Sequence, residues 1–308
     1  MNKYLEIEPK DNTFKTILVQ TTYFCQMKCS NCYLGDMLNN KSIPDVDYSR
    51  LSDLLDELPF RSDIRLLGAE PTMNPNIFNL IKLIRKKGHR PSMLTNGLKL
   101  SKEPYVKKLK DSGLNTLGIS MNGGLCDDTY KIYDNGNYAK QKSQALDNCL
   151  KYKIAPHINT ILTPLNLHTL KPLLDFLIDR ATFYNIKFSP TRFPVMLRPK
   201  SIGRLGNFLD EKTYTLNELA EIISVLTNVK VKDIMNSKTV DGYSEKNTKV
   251  FSFDTKAGQI LCKLTDWTVD EGGVIDRGSK RRGIVTHNYK IAPAFEYYSE
   301  QVDLHGNN

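Results

Sequence analysis

Short apolar runs rich in β-branched residues alternate, through the first two-thirds of the chain, with stretches whose apolar residues recur every three or four positions. The first kind of run predicts strands at 16–21, 64–67, 92–95, 116–121, 155–162 and 186–189. The second predicts helices at 48–58, 77–87, 104–110, a long one ending near 152, and 170–184; in 77–87, Ile77, Leu80, Ile81 and Ile84 share one helical face. Glycines at 88, 97 and 113 fall where these elements should stop. Alternation of this kind builds a parallel sheet, because each helix returns the chain to the end where the next strand starts. Six such units fall short of the eight that close a barrel. The expected fold is therefore α/β, a partial (β/α)6 TIM-like barrel followed by a C-terminal α+β extension.

Past Pro190 the rhythm changes. Residues 191–212 carry Pro, Gly and Arg in a loop-like stretch, 215–229 predict one more helix, and 230–308 predict short strands and turns. The expected division is a barrel core over 1–195 and a region over 196–308 that caps the barrel mouth and selects the substrate.

A chain of 308 residues, 40% hydrophobic and 25% charged, buries a substantial core. No stretch approaches the roughly 20 continuous apolar residues of a membrane span. The N-terminal MNKYLEIEPKDNTFK has no apolar segment of the signal-peptide kind, so a cytoplasmic protein is expected. The formal charge of +9 favours anionic partners. No Lys/Arg block is interleaved with aromatics as a nucleic-acid surface requires, which leaves a small phosphorylated or carboxylated substrate as the expected partner.

Cysteine usage sharpens the picture. Of six cysteines, Cys25, Cys29 and Cys32 fall within eight residues directly after the first predicted strand, while Cys126, Cys149 and Cys262 are scattered. Three thiolates spaced C-x3-C-x2-C are soft ligands suited to iron or zinc. A structural zinc site wants a fourth Cys or His at similar spacing, and the nearest histidine is His89. On a four-iron cluster, three ligands leave one iron open to another molecule.

This spacing, followed by the aromatic Tyr33, resembles the signature of the radical S-adenosylmethionine superfamily. The resemblance implies a 4Fe–4S cluster on Cys25, Cys29 and Cys32, with S-adenosylmethionine on the open iron through its amino and carboxylate groups. It further implies an electron donor such as flavodoxin or ferredoxin and reductive cleavage to a 5′-deoxyadenosyl radical. The segment LLGAEPTMNP is similar to the family's Gly-Gly-Glu-Pro element, with Ala69 in place of the second glycine. That likeness implies cofactor contacts at Gly68, Ala69, Glu70 and Pro71, with Glu70 accepting from the methionine ammonium. At later strand ends, Thr95 and Asn96 in MLTNG, Ser120 and Asn122 in GISMNG, and Asn159 in HINTILTPLN stand where family contacts to ribose and carboxylate occur. The bland alternative for each is a cap on the next helix. The resemblance covers residue 15 to about 190.

Arg192, Arg198, Lys200 and Arg204 follow the sixth predicted strand, where guanidinium groups can grip a phosphate or carboxylate; a solvated loop is the alternative. Arg277, Lys280, Arg281 and Arg282 form a similar group, and Trp267 is a core residue or a stacking surface. His157, two residues from Asn159, faces the same side of its strand and is a candidate to line the substrate pocket; a buried, satisfied histidine is the alternative. Cys149 reads as a small core residue, and only Cys262 lies beyond 190, so the cysteine-rich extension of peptide-modifying members is expected to be absent. With 24 residues before Cys25, no leader-binding domain is expected either. The function expected is hydrogen abstraction from a sugar, nucleotide or nucleoside-like metabolite in specialised biosynthesis. The alternatives are a maturase of a ribosomal peptide or protein and a zinc- or cluster-binding regulator of nucleic acid.

Overall fold

Each predicted helix of the first two-thirds forms, because its apolar stripe finds the outer face of one sheet. The computed structural model describes residues 6–30, 32, 34–201, 212–237, 248–266 and 282–294. Along the chain come β1 (Thr16–Gln20), α1 (Tyr48–Glu57), β2 (Asp63–Leu67), α2 (Ile77–Lys86), β3 (Arg90–Thr95), α3 (Glu103–Asp111) and β4 (Thr116–Ser120). Next are α4 (Asp127–Asp134), α5 (Ala139–Lys151), β5 (Ala155–Ile161), α6 (Leu170–Phe183), β6 (Met196–Lys200), α7 (Leu216–Thr227) and α8 (Val231–Met235). Two hairpins follow, β7 (Thr248–Thr255) with β8 (Gly258–Thr265), and β9 (Arg282–Val285) with β10 (Ile291–Pro293). The long helix expected before 152 is two, because Asn135 takes the left-handed conformation (φ 54°) and ends α4.

Among the described residues all ten strands lie in one sheet, ordered β10-β9-β1-β2-β3-β4-β5-β6-β8-β7. Strands β1 to β6 are parallel in chain order, β8 joins β6 in parallel and β9 joins β1 in parallel. The antiparallel partners β7 and β10 stand at the two edges, so the partial barrel stays open. Side chains alternate across it. Ile17, Val19, Ile64, Leu66, Met93, Leu117, Ile119 and Ile158 point out into the main core beneath the helices. On the inner face, Leu18, Leu67 and Ile284 form a small apolar cluster, and much of the remaining wall is polar.

The sixth strand differs from expectation. Residues 186–189 make only single bridges, Phe188 to Gly258 and Ser189 to Phe193, and the strand that extends the sheet is Met196–Lys200. Pro199 is its fourth residue, opposite Thr160, and Arg198 and Lys200 occupy its inner face. A proline and two cations in five residues disguise a strand whose inner side faces a polar interior. The expected domain break after 195 thus falls just before a strand of the same sheet, which also takes in β8, β9 and β10 from the C-terminal third.

Candidate active site

The cysteines sit on the loop that leaves the C-terminal end of β1, and that loop is tied down on both sides. Toward β2, the Thr21 amide and hydroxyl both donate to the Leu67 carbonyl at 2.7 and 2.8 Å. The Cys25 amide donates to Asn39 Oδ1 at 2.9 Å. Toward α4, Ser30 Oγ donates to the Ile132 and Tyr133 carbonyls, both at 2.9 Å, and Asn135 Nδ2 donates to the Lys28 carbonyl at 2.7 Å. Met27, Leu34 and Met37 plug the loop into the protein at 2 to 4% exposure. Tyr33 lies outside the described residues.

The Gly68–Ala69–Glu70 segment runs beside this loop like an added strand. The Ala69 amide donates to the Thr22 carbonyl and the Glu70 amide to the Phe24 carbonyl, both at 3.0 Å. Gly68 permits the approach: its φ is 151°, and a Cβ there would stand 2.5 Å from the Thr22 carbonyl oxygen. The Glu70 carboxylate turns inward and is fully buried. The Thr72 amide, Thr72 hydroxyl and Thr95 hydroxyl donate to its Oε1 at 3.0, 2.7 and 2.7 Å, and the Asn96 amide donates to Oε2 at 2.7 Å. Glu70 therefore ties the ends of β2 and β3 together beside the cysteine loop. Gly68, Glu70, Pro71 and Thr95 all shape the site from behind, while Ala69 reaches its surface.

That surface is a pocket of about 220 Å³ at the C-terminal ends of the strands. It brings together Cys25, Cys29, Cys32, Ala69, Asn96, Ser120, Asn122, Asn159 and Lys200, all singled out from sequence. Asn96 Nδ2 also donates to Cys25 Sγ at 3.6 Å. A larger cavity of about 720 Å³, between the 37–50 segment and the β9–β10 hairpin, contains none of the cysteines. Burial pushes the Cys25 thiol up to about 11 and raises Cys29 and Cys32 as well, with the Asp134 carboxylate adding to the rise at Cys29. Iron binds the thiolate, so each thiol would give up its proton as it ligates.

Sequence reasoning missed Lys142 and Asp134, which also line the pocket. Lys142 Nζ donates to Asp134 Oδ2 at 3.0 Å and to the Ser120 carbonyl at 2.9 Å, and lies 4.7 Å from the Tyr130 ring centre. Both side chains are buried, at 0 and 2% exposure. Nothing in AKQKSQ marks this lysine as inward-facing, since polar neighbours surround it.

The substrate-side expectations divide. Arg198 and Lys200 are on the inner face of β6, Arg282 is on β9, and His157 is on β5 beside the Thr116 hydroxyl, 3.3 Å away. Arg192 is exposed in the turn before β6 and is not among the residues that line the pocket. Arg204, Trp267, Arg277, Lys280 and Arg281 lie outside the described residues. Cys149 and Cys262 are fully buried core thiols. Cys126, at the start of α4, has its thiol lowered to about 7 by bonds to Thr129 and His168.

The residues present fit the implied groups. Among the described residues no three His, Cys, Asp or Glu side chains converge as a cage for a single ion, whereas three thiols around one pocket suit three different irons of a cluster. For the amino-acid and nucleoside parts of S-adenosylmethionine the pocket offers the Lys142 ammonium and the apolar Met27, Leu38 and Ile161. It also offers Asn159 Oδ1, a buried acceptor with no partner among the described residues.

The Radical SAM superfamily pattern matches residues 19–177, just over half of the chain. The chain is 24% identical over 267 residues to the 7,8-dihydro-6-hydroxymethylpterin dimethyltransferase of Methanocaldococcus jannaschii, covering 79% of this chain and 52% of that protein. It is 25% identical over 170 residues to a probable GTP 3′,8-cyclase of Sulfurisphaera tokodaii, covering 54% and 53% respectively. It thus spans about half the length of these curated relatives. The crystal structure of Streptococcus suis SuiB shares the fold, with a TM-score of 0.59 at 14% identity over 91% of this chain and 60% of SuiB. No helix among the described residues is long and apolar enough to cross a membrane. The match over more than half of its length decides the family: the chain belongs to the radical S-adenosylmethionine superfamily, enzymes that use a 4Fe–4S cluster and S-adenosylmethionine.

Proposed function

We propose that this enzyme abstracts a hydrogen atom from a small anionic metabolite, a sugar, nucleotide or nucleoside-like compound, in the cytoplasm, with flavodoxin or ferredoxin as electron donor. When bound, the cluster and S-adenosylmethionine supply a 5′-deoxyadenosyl radical for that step. The chain's own residues do the rest. Cys25, Cys29 and Cys32 hold the iron, Lys142 carries positive charge to the pocket wall for the methionine carboxylate, and Asn159 Oδ1 accepts from a hydroxyl. Met27, Leu38 and Ile161 keep water from the reacting centre.

The observation that carries the reading is that Lys200, on the inner face of β6, lines the same pocket as the three cysteines. An amine on that wall can donate hydrogen bonds to an anionic substrate within reach of the radical. Two curated relatives are named for activities on heterocyclic metabolites, a pterin and GTP, which supports the small-molecule reading.

The test is anaerobic. Reconstituted protein, S-adenosylmethionine and dithionite are incubated with phosphorylated sugars, nucleotides, or a panel of peptides, and 5′-deoxyadenosine is quantified. Stimulation above the substrate-free background by a sugar phosphate or nucleotide is expected. Stimulation by peptides alone would overturn the reading in favour of a maturase.

A further inference from the structure

The cavity of about 720 Å³ between the 37–50 segment and the β9–β10 hairpin is larger than the cysteine pocket and is its neighbour: Met37 lines the one space and Leu38 the other. Asn39 fixes this partition, its amide donating to the Tyr23 carbonyl at 2.8 Å while its Oδ1 accepts from the Cys25 amide. On the opposite wall Tyr289 takes the left-handed conformation, φ 61°, which a tyrosine adopts only at a cost. That posture sets its ring 4.1 Å from the Arg50 guanidinium and its hydroxyl where it accepts from the Asp47 amide at 2.6 Å. Arg50 Nη2 also donates to the Asn288 carbonyl at 3.2 Å. Tyr23 and Tyr48 add two more rings to the lining, and Ile43, Val46 and Val285 give it an apolar side. Two lining residues, Asp45 and Thr286, each carry a buried side-chain oxygen, Oδ1 and Oγ1, with no hydrogen-bond partner among the described residues. A buried oxygen without a donor is costly, and a ligand that brings an N–H offsets that cost.

We propose that this cavity binds an organic ammonium ion with an apolar body, at a site separate from the cysteine pocket. Charge selects the class. Asp45 and Asp47 both line the cavity, whereas Arg50 is the one lysine or arginine among its described lining residues, and its guanidinium is engaged by Tyr289 and Asn288. In a chain of formal charge +9 this is a local reversal of sign. An ammonium group has three N–H donors and no acceptor, which suits a carboxylate and a hydroxyl oxygen that lack donors. The faces of tyrosine rings attract the same charge. The apolar side and the volume exceed what a bare cation needs and fit a ligand with a hydrocarbon or ring body. Nothing in the site uses the cluster, so it stands or falls apart from the radical reading.

The test uses the reconstituted full chain and two probes, phenethylamine and 2-phenylethanol, which differ in an ammonium against a hydroxyl, by anaerobic titration calorimetry at neutral pH. The amine is expected to bind at least about tenfold more tightly than the alcohol. Asp45→Asn, which keeps the shape of the side chain and removes its charge, should bring the two probes to about equal affinity. Ile43→Trp, which fills the cavity from its apolar side, should lose both. The amine binding no tighter than the alcohol, its preference surviving in Asp45→Asn, or its affinity unchanged in Ile43→Trp would each overturn the site. Formation of 5′-deoxyadenosine from S-adenosylmethionine, measured on the same preparation, reports on the radical reading separately.

Discussion

The ammonium of Lys142 and the carboxylate of Asp134 lie 3.0 Å apart with almost no exposure to water, on two successive helices beside Cys29. A buried pair of this kind is worth little as a pair, but either charge left alone is expensive. Lys142→Met is expected to destabilise the cluster-free protein by about 3–5 kcal/mol, because Asp134 stays buried without its main partner. Lys142→Met with Asp134→Leu should recover most of that loss. Urea unfolding of the two variants checks it: a double variant less stable than the single would show that the two charges are not coupled.

Glu70 makes a second prediction, about a buried carboxylate that protein donors hold in place. Its Oε1 accepts three hydrogen bonds and its Oε2 one, all from protein groups. Glu70→Gln preserves shape but sets an amide NH₂ against a donor whichever way the side chain turns. The expected cost is about 1–3 kcal/mol of folding stability. Affinity of the reconstituted variant for S-adenosylmethionine should fall less than tenfold, since protein donors already occupy the carboxylate. A variant of normal stability that no longer binds S-adenosylmethionine would put Glu70 in direct contact with it.

His157 sets a pH dependence. Its folded value of about 3 lies below its ordinary 6.5, so between these limits the unfolded chain binds a proton that the folded chain refuses. Stability is unaffected by His157 above 6.5 and falls as pH drops through the window. At pH 5 the loss amounts to about 2 kcal/mol, from about 1.4 kcal/mol per unit. His157→Gln should remove that part of the slope, measured as the difference in unfolding free energy between pH 7 and pH 5. Equal slopes in wild type and variant would mean that the ring is not held neutral.

Much of this was legible in the sequence, for physical reasons that also mark where legibility stops. Strands β1 to β5 declare themselves because their outward residues, such as Ile17, Ile64 and Ile158, are apolar against the helices. The cysteine loop declares itself because three soft ligands in eight residues have few uses. Strand β6 hid behind Pro199, Arg198 and Lys200, since a polar barrel interior erases the apolar half of the alternation. Lys142 hid because a lysine buried by tertiary contacts looks in sequence like any solvated one, and Glu70 showed its chemistry but not the protein donors that gather on its carboxylate.

The central claim is that Cys25, Cys29 and Cys32 hold a cluster that opens S-adenosylmethionine, and one side-by-side assay tests it. Wild type and Cys29→Ala are reconstituted anaerobically with iron and sulfide, reduced with dithionite, and the 5′-deoxyadenosine formed per chain is measured by chromatography. Cys29→Ala is expected to fold, to carry little iron and to form no 5′-deoxyadenosine, while the wild type forms it readily. Equal amounts from the two proteins would contradict the account.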